Sequence, residues 1–297
     1  MIFPIVLPFP KELGKGPETN AYLFMEGGRN ILIDTGIDSE ANRSRIREEL
    51  QRRGAWGPDA ILLTHGHLDH SGLAAYIQRE TGSEIFIHEW DRRALEDYSG
   101  YTTEWYGDTF ELALEGGFDE GSLRDGLAQL LTVARVIARP EKFRTFRELE
   151  LGSLKAIGLP GHTAGSVGYA SGETVFAGDA AIERSTNVRV LRDEFASLQR
   201  LKVFRRLYAG HGRPLEPTDV EALETHFLNR LEGVMRAASG GRTLKEIVES
   251  LYGGMDLSSP IRRMIPIRQV IAYLRYLEEE GHVVKRGRLW VSYRSSL

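Results

Sequence analysis

The sequence predicts an α/β layered domain. Two observations carry this reading. Short apolar runs alternate with amphipathic helical stretches over the first ninety residues, and the same strand pattern resumes after a stretch of different character. At 297 residues the chain is long enough for one large domain, or for a large domain and a small one.

The elements follow in order. Residues 1–8 (MIFPIVLP) are apolar, lack a basic leader and carry two prolines, so they read as an opening strand rather than a signal peptide. Residues 21–25 (AYLFM) and 30–34 (NILID) are apolar runs joined by Glu26-Gly27-Gly28-Arg29, a hairpin signal, with Asn20 expected to support that hairpin. Residues 39–53 look helical, with Ile46 and Leu50 on one face. A short buried strand at 60–64, a helix at 71–80 stopped by Gly82, and a strand at 84–88 complete the alternation. Residues 96–147 break the pattern. They are rich in aromatics (Tyr98, Tyr101, Trp105, Tyr106, Phe110, Phe118) and glycine, and hold one amphipathic helix at about 122–138, closed by Pro140. They read as a helical insertion. Strand patterns return at 149–151, 155–159, 166–170 and 174–177, and a helix at 194–206 leads into Leu207-Tyr208-Ala209-Gly210.

After Pro217 the character changes again. Helices are expected at 219–238, 243–251 and 268–280, followed by a basic hairpin at 283–291. Helices ending in a two-stranded wing predict a small C-terminal winged-helix-like domain. The domain reading is therefore 1–217, with the insertion at about 96–147, and 218–297.

Composition excludes several classes. Hydrophobic content of 41% and charged content of 27% are ordinary for a globular protein. The net charge of −4 argues against a general polyanion binder, and no apolar run approaches the ~20 residues that span a bilayer. The absence of cysteine removes disulfides, thiol nucleophiles and thiolate ligands, and agrees with a cytoplasmic setting.

The chemistry concentrates in Thr64-His65-Gly66-His67-Leu68-Asp69-His70, directly after a strand. Three imidazoles and a carboxylate in one loop form a metal-ligand pattern, because a loop can converge rings that a regular element would splay. Gly161-His162-Thr163, Gly178-Asp179 and Gly210-His211-Gly212 each place one more ligand type after a small residue at a strand end. Strand ends facing one way build a site in layered α/β domains. His88, His226 and His282 lie outside the pattern. Tyr101, Trp105 and Tyr106 are candidates for a substrate pocket, since they pair apolar faces with polar tips.

With Asp34-Thr35-Gly36 these pieces, in this order, resemble the metallo-β-lactamase superfamily. The resemblance implies an αβ/βα sandwich with its site at one edge. It also implies one metal on His65, His67 and His162, a second on Asp69, His70 and His211, and Asp179 bridging both. Zinc is the first choice, with iron and manganese as alternatives. Asp69 would also orient the nucleophile, and Asp34 would fix a histidine ring. The tail makes the chain similar to a branch holding an endoribonuclease, acyl-carrier-protein thioesterases and hydroxyacylglutathione-hydrolase-like proteins.

The expected function is a dinuclear hydrolase in which hydroxide generated at the metals attacks an ester, thioester or lactone carbonyl. The alternative is an endonuclease or phosphodiesterase acting on RNA or DNA. A mononuclear iron persulfide dioxygenase ranks below both. Residues 236–297 hold 11 Lys or Arg and 6 Asp or Glu, a modest basic bias of +5. The expected partner is therefore a small acyl substrate, with no membrane, nucleic acid ranked second, and the apolar tail helices free to pack on the main domain or a second copy.

Overall fold

A computed structural model describes residues 1–11, 16–134, 137–183, 187–255 and 260–293. The first sheet contains β1 (Ile2–Leu7), β2 (Thr19–Glu26), β3 (Arg29–Ile33), β4 (Ala60–Leu62) and β5 (Glu84–His88). Between these strands lie α1 (Glu40–Gln51), α2 (Leu68–Ser71) and α3 (Ala74–Thr81). The helix read at 71–80 is thus two, broken at Gly72-Leu73. Then come α4 (Arg93–Glu96), α5 (Tyr98–Glu115), α6 (Glu120–Ala134) and β6 (Arg144–Phe146). Strand β6 closes the sheet in the order β1-β2-β3-β4-β5-β6, antiparallel up to β3 and parallel beyond. The second sheet has β7 (Glu150–Leu151), β8 (Leu154–Gly158), β9 (Val167–Ser171) and β10 (Thr174–Gly178). After α7 (Leu191–Leu201), β11 (Arg206–Ala209) adds parallel to β10.

Period-two alternation assigns each strand face to a layer. Tyr22, Phe24, Ile31, Ile33 and Leu62 face inward and meet Leu154, Val167, Tyr169 and Phe176 of the second sheet. Their neighbours Ala21, Leu23, Leu32 and Ile61 face outward onto Ile46 and Leu50 of α1 and Ile77 of α3. In β10, Phe176 points between the sheets while Val175 and Ala177 point to the far helices. Helices therefore cover both outer faces of two stacked sheets, the predicted αβ/βα sandwich. Burying each such Leu or Ile stabilises by about 1.5–3 kcal/mol.

The aromatic stretch holds a second helix that sequence periodicity did not reveal. In α5, Asp97 accepts the Gly100 N–H (3.1 Å) as a cap, and Tyr101, Trp105, Tyr106, Thr109 and Ala113 are buried. Trp105 and Tyr106 do not form a private core. They join one cluster with α8 (Pro217–Ala237), α9 (Leu244–Tyr252) and α10 (Pro260–Glu279), through Phe227, Ile247, Ile267 and Leu274. Helix α10 starts eight residues before the sequence-based expectation and carries Pro266 internally. A three-stranded sheet, β12 (Arg242–Thr243), β14 (Leu289–Ser292) and β13 (Val283–Arg286), finishes the described chain. No described helix is long and apolar enough to cross a membrane.

Candidate metal centre

The seven candidate ligands leave four segments at one edge of the sandwich. His65 and His67 follow β4, Asp69 and His70 open α2, His162 follows β8, Asp179 follows β10 and His211 follows β11. Two glycines make this possible. Gly178 has φ +54, and a side chain there would collide with the Thr64 hydroxyl. A side chain at Gly210 would collide with Asp179 and His70. The small residue before each of these ligands is therefore a steric requirement of close strand ends.

Two adjacent sets form. In the first, His67 Nδ1 lies 3.1 Å from His65 Nε2 and 2.8 Å from His162 Nε2. In the second, His211 Nε2 lies 3.3 Å from Asp69 Oδ2, and His70 Nε2 lies 3.9 Å from the same oxygen. Asp179 stands between them, with Oδ1 3.4 Å from His70 Nε2 and Oδ2 3.3 Å and 3.7 Å from His211 and His162 Nε2. The groups His65/His67/His162, His65/His70/Asp179 and Asp69/His70/His211 each have all ligand atoms within 4.8 Å of one another.

The rings are held from behind. His70 Nδ1 donates to Asp34 Oδ2 (2.8 Å), His211 Nδ1 to the Glu18 carbonyl (2.7 Å) and His162 Nδ1 to the Asn187 carbonyl (2.5 Å). Asp34 also accepts the Thr64 N–H and hydroxyl, both at 2.8 Å, which leaves Thr64 Oγ1 to accept from His65 Nδ1 at 3.1 Å. With each Nδ1 so engaged, the Nε2 lone pair points into the centre. Asp34 sits at φ 57°, a left-handed conformation that Asp tolerates better than most residues.

Sequence reasoning missed three fasteners. Asp91 is buried and accepts Gly66 N–H (2.8 Å), Gly165 N–H (3.1 Å) and Thr163 Oγ1–H (2.7 Å), tying the His65–His70 loop to the His162 loop. Asn20 was expected to brace the first hairpin. Its side-chain amide instead donates to the Ala209 and Gly212 carbonyls (3.1 and 2.8 Å), fixing the His211 loop. Tyr22 donates its hydroxyl to Ala209 as well (2.6 Å). A lone Asp after Trp90 and an Asn at the start of a strand carry no local signature, and the Glu18 and Asn187 carbonyls carry none at all.

Electrostatics fit a cation. Burial drives His65 and His67 well below the ordinary histidine range, helped by neighbouring histidines, so both present neutral nitrogens. Burial also opposes charge on His70, but Asp179, Asp34 and Asp69 outweigh it and push His70 up to about 10. The same contest raises His211 to about 12, through Asp179 and Asp69. The carboxylate half thus draws protons onto its histidines, the behaviour of a site that favours positive charge. Three imidazole nitrogens 2.8 and 3.1 Å apart in the first set form a donor group that would suit zinc. Nitrogen and oxygen donors without sulfur also suit iron or manganese.

Of the three candidate pocket aromatics, Trp105 and Tyr101 pack on His67, at 4.3 and 6.3 Å between centroids, and Tyr106 packs on Trp105 at 5.0 Å. His88 caps a turn by accepting the Trp90 N–H and packs on Phe146. His226 lies against Phe227 on α8. His282 bonds through its backbone N–H to Leu277, beyond the end of α10.

Comparison with known proteins agrees with this geometry. The family model described as the metallo-beta-lactamase superfamily matches residues 14–211. A probable metallo-hydrolase of Methanocaldococcus jannaschii is 29% identical over 210 residues, covering 67% of this chain and 90% of that one. An atrochrysone carboxyl ACP thioesterase of Aspergillus fumigatus is 23% identical, covering 91% of this chain and 80% of that one. The crystal structure of a metallo-beta-lactamase family protein from Thermus thermophilus superposes with a TM-score of 0.79 at 25% identity, covering 98% of both chains. With a matching family model, a matching sandwich and two adjacent His/Asp clusters at its edge, the chain belongs to the metallo-beta-lactamase superfamily.

Proposed function

We propose that this metallo-hydrolase homologue hydrolyses small acyl substrates, thioesters first, with esters and lactones in the same class, using two divalent ions, zinc by first choice. The observation that carries the reading is the pair of adjacent ligand sets sharing Asp179 beside an aromatic wall. His65, His67 and His162 would hold one ion, Asp69, His70 and His211 the other, and Asp179 both. Bound divalent ions supply Lewis acidity and bring the pKa of water from 15.7 to about 7. Asp69 keeps 27% of its side chain accessible, which supports a role in orienting an incoming water and carrying its proton. Trp105 and Tyr101 keep water off the His67 side and give an acyl chain an apolar surface. The thioesterase relative supports the leaving-group class.

Basic residues on the hairpin do not favour the nuclease alternative. Lys285 Nζ reaches Glu115 Oε2 (2.5 Å) and Arg288 Nε donates to the Glu115 carbonyl (2.7 Å), so both serve the end of α5. The test is elemental analysis of purified protein joined to a panel of thioesters, lactones, phosphodiesters and RNA. Two ions per chain with thioester turnover is expected. One iron per chain with full activity, or turnover of RNA alone, would overturn the reading.

A further inference from the structure

Helix α10 puts a cation where no structural need for one is visible. Arg268 is 3% exposed, and its guanidinium carbon lies 3.0 Å from the centroid of the Trp105 ring. The Tyr106 hydroxyl lies close enough to the guanidinium to interact as a weak hydrogen-bond partner, but neither Nη1 nor Nη2 has a partner in good geometry. Taking an Arg out of water is costly, and Asp108, the acidic group that acts on it through space, is already paired with Arg275. Cation–π contact with Trp105 offsets only part of that cost. Two further polar atoms close by share the condition. Trp105 Nε1 and the Tyr101 hydroxyl are buried without partners, and both rings pack on His67. Guanidinium and indole N–H groups only donate. A donor set of this kind calls for an acceptor-only group, and a planar guanidinium matches a carboxylate through two parallel bonds.

The approach is also marked. Arg268, Ala272, Arg275, Tyr276 and Glu279 recur at helical spacing along one face of α10. The last four line a cavity of about 420 Å³, whose opposite wall is Gly161, Thr163 and Ala164 beside the ligand His162. Arg275 and Glu279 are already engaged, with Asp108 (2.8 Å) and Arg192 (3.3 Å). Burial, with Arg189 adding to it, pushes Arg268 down to about 9, still protonated at neutral pH.

We propose that Arg268, with Trp105 Nε1 and Tyr101 Oη, forms a recognition site for a carboxylate borne on the acyl part of the substrate, one indole away from the metal ligand His67. This rests on the acyl-hydrolase reading. The substrate class is then a thioester or ester of a dicarboxylic acid, its distal carboxylate held by α10 while its carbonyl faces the centre.

The experiment compares the S-phenyl thioesters of glutaric acid, with one carboxylate free, and of pentanoic acid, which lacks it. Native holoenzyme, Arg268→Met and Arg268→Lys are assayed, each with measured metal content. The native protein is expected to prefer the glutaryl substrate. In Arg268→Met the ratio of kcat/KM for the two should fall by about 100-fold, and Arg268→Lys should keep part of the preference. Arg268→Met should melt no lower than the native protein, because it removes a buried charge that has no carboxylate partner among the described residues. A fall in melting temperature with an unchanged substrate ratio would make Arg268 a structural residue and overturn the proposal. A second readout does not need turnover. Binding of 5-(phenylthio)pentanoate, followed by tryptophan fluorescence, should be lost in Arg268→Met. If the native protein cleaves neither thioester, the hydrolase reading fails while this titration still decides the carboxylate site. Binding equal in native and Met proteins, or inorganic phosphate binding more tightly than the carboxylate, would overturn it.

Discussion

At the scale of single residues, the centre separates atoms that could meet a cation from atoms that aim them. Asp69 belongs to the first kind. Asp69→Ala removes one ligand from one set, while Asp34, Thr64 and Asp91 still hold the loop. Turnover should fall by at least about 1000-fold with the circular dichroism spectrum unchanged. Near-native turnover would show that Asp69 neither binds metal nor moves a proton. Asp34 belongs to the second kind. Asp34→Ala strips His70 Nδ1 and Thr64 of their acceptor, and metal affinity should fall by about 10–100-fold. A chelator competition that gives equal affinity for both proteins would contradict that role. The seven residues that converge at the centre were all legible in the sequence, because histidines and aspartates after small residues at strand ends are a local pattern. Asp91, Asn20 and Arg268 were not. Each meets its partners through space, from a segment whose own pattern says nothing of them.

At the scale of elements, the interest lies where one element's end meets another's loop. Asp91, just before α4, clamps two ligand loops through three donors. Asp91→Ala should cost on the order of 3 kcal/mol, since it leaves buried donors unmet. Denaturant unfolding with an unchanged midpoint would refute this. Glu194, in the first turn of α7, is fully buried, and burial raises its carboxyl well above the ordinary range. A raised native value means that its contribution is fully present below the unfolded value, near 4.5, and is lost as pH rises through the native one. Glu194→Gln should therefore gain thermal stability over the native protein as pH goes from 5 to 8. A constant difference in melting temperature across that range would remove Glu194 as the cause. Helix α5 shows why the insertion was only half legible. Its aromatics do repeat at helical spacing, but glycines and threonines interrupt the stripe, and part of what they pack on, in α9 and α10, lies more than a hundred residues further on.

At the scale of the whole molecule, the stretch after residue 217 is packed as part of the body. Its helices share one core with α5, α6, α7 and the outer face of the second sheet. A chain ending at residue 217 should expose Trp105, Tyr106 and Leu123 and lose its cooperative melting transition. A sharp, native-like melt for that piece would show that the main body is self-sufficient. The basic hairpin follows the same logic. Lys285→Glu with Arg288→Glu puts like charge beside Glu115 and should lower the melting temperature by a few degrees, without touching RNA affinity. Tight RNA binding that weakens steeply with salt, and that these reversals abolish, would return the nuclease reading to first place.

Position 34 also bears on how this chain can change over generations. Its backbone, at φ 57°, admits Gly, Asn and Asp and penalises almost every other residue. Its three hydrogen bonds demand two acceptor oxygens, which Gly lacks entirely and Asn supplies by half. The two demands arise from unrelated physics, and their intersection holds one amino acid. In a library saturated at this codon and selected for activity, Asp34 should return alone. A neighbouring buried position under a single demand, such as Ile33, should return several apolar choices. The site is thus pinned at a point where drift has no neutral neighbour, and new specificities must be found in α5 and α10, where side chains can be exchanged without disturbing the turn that aims His70.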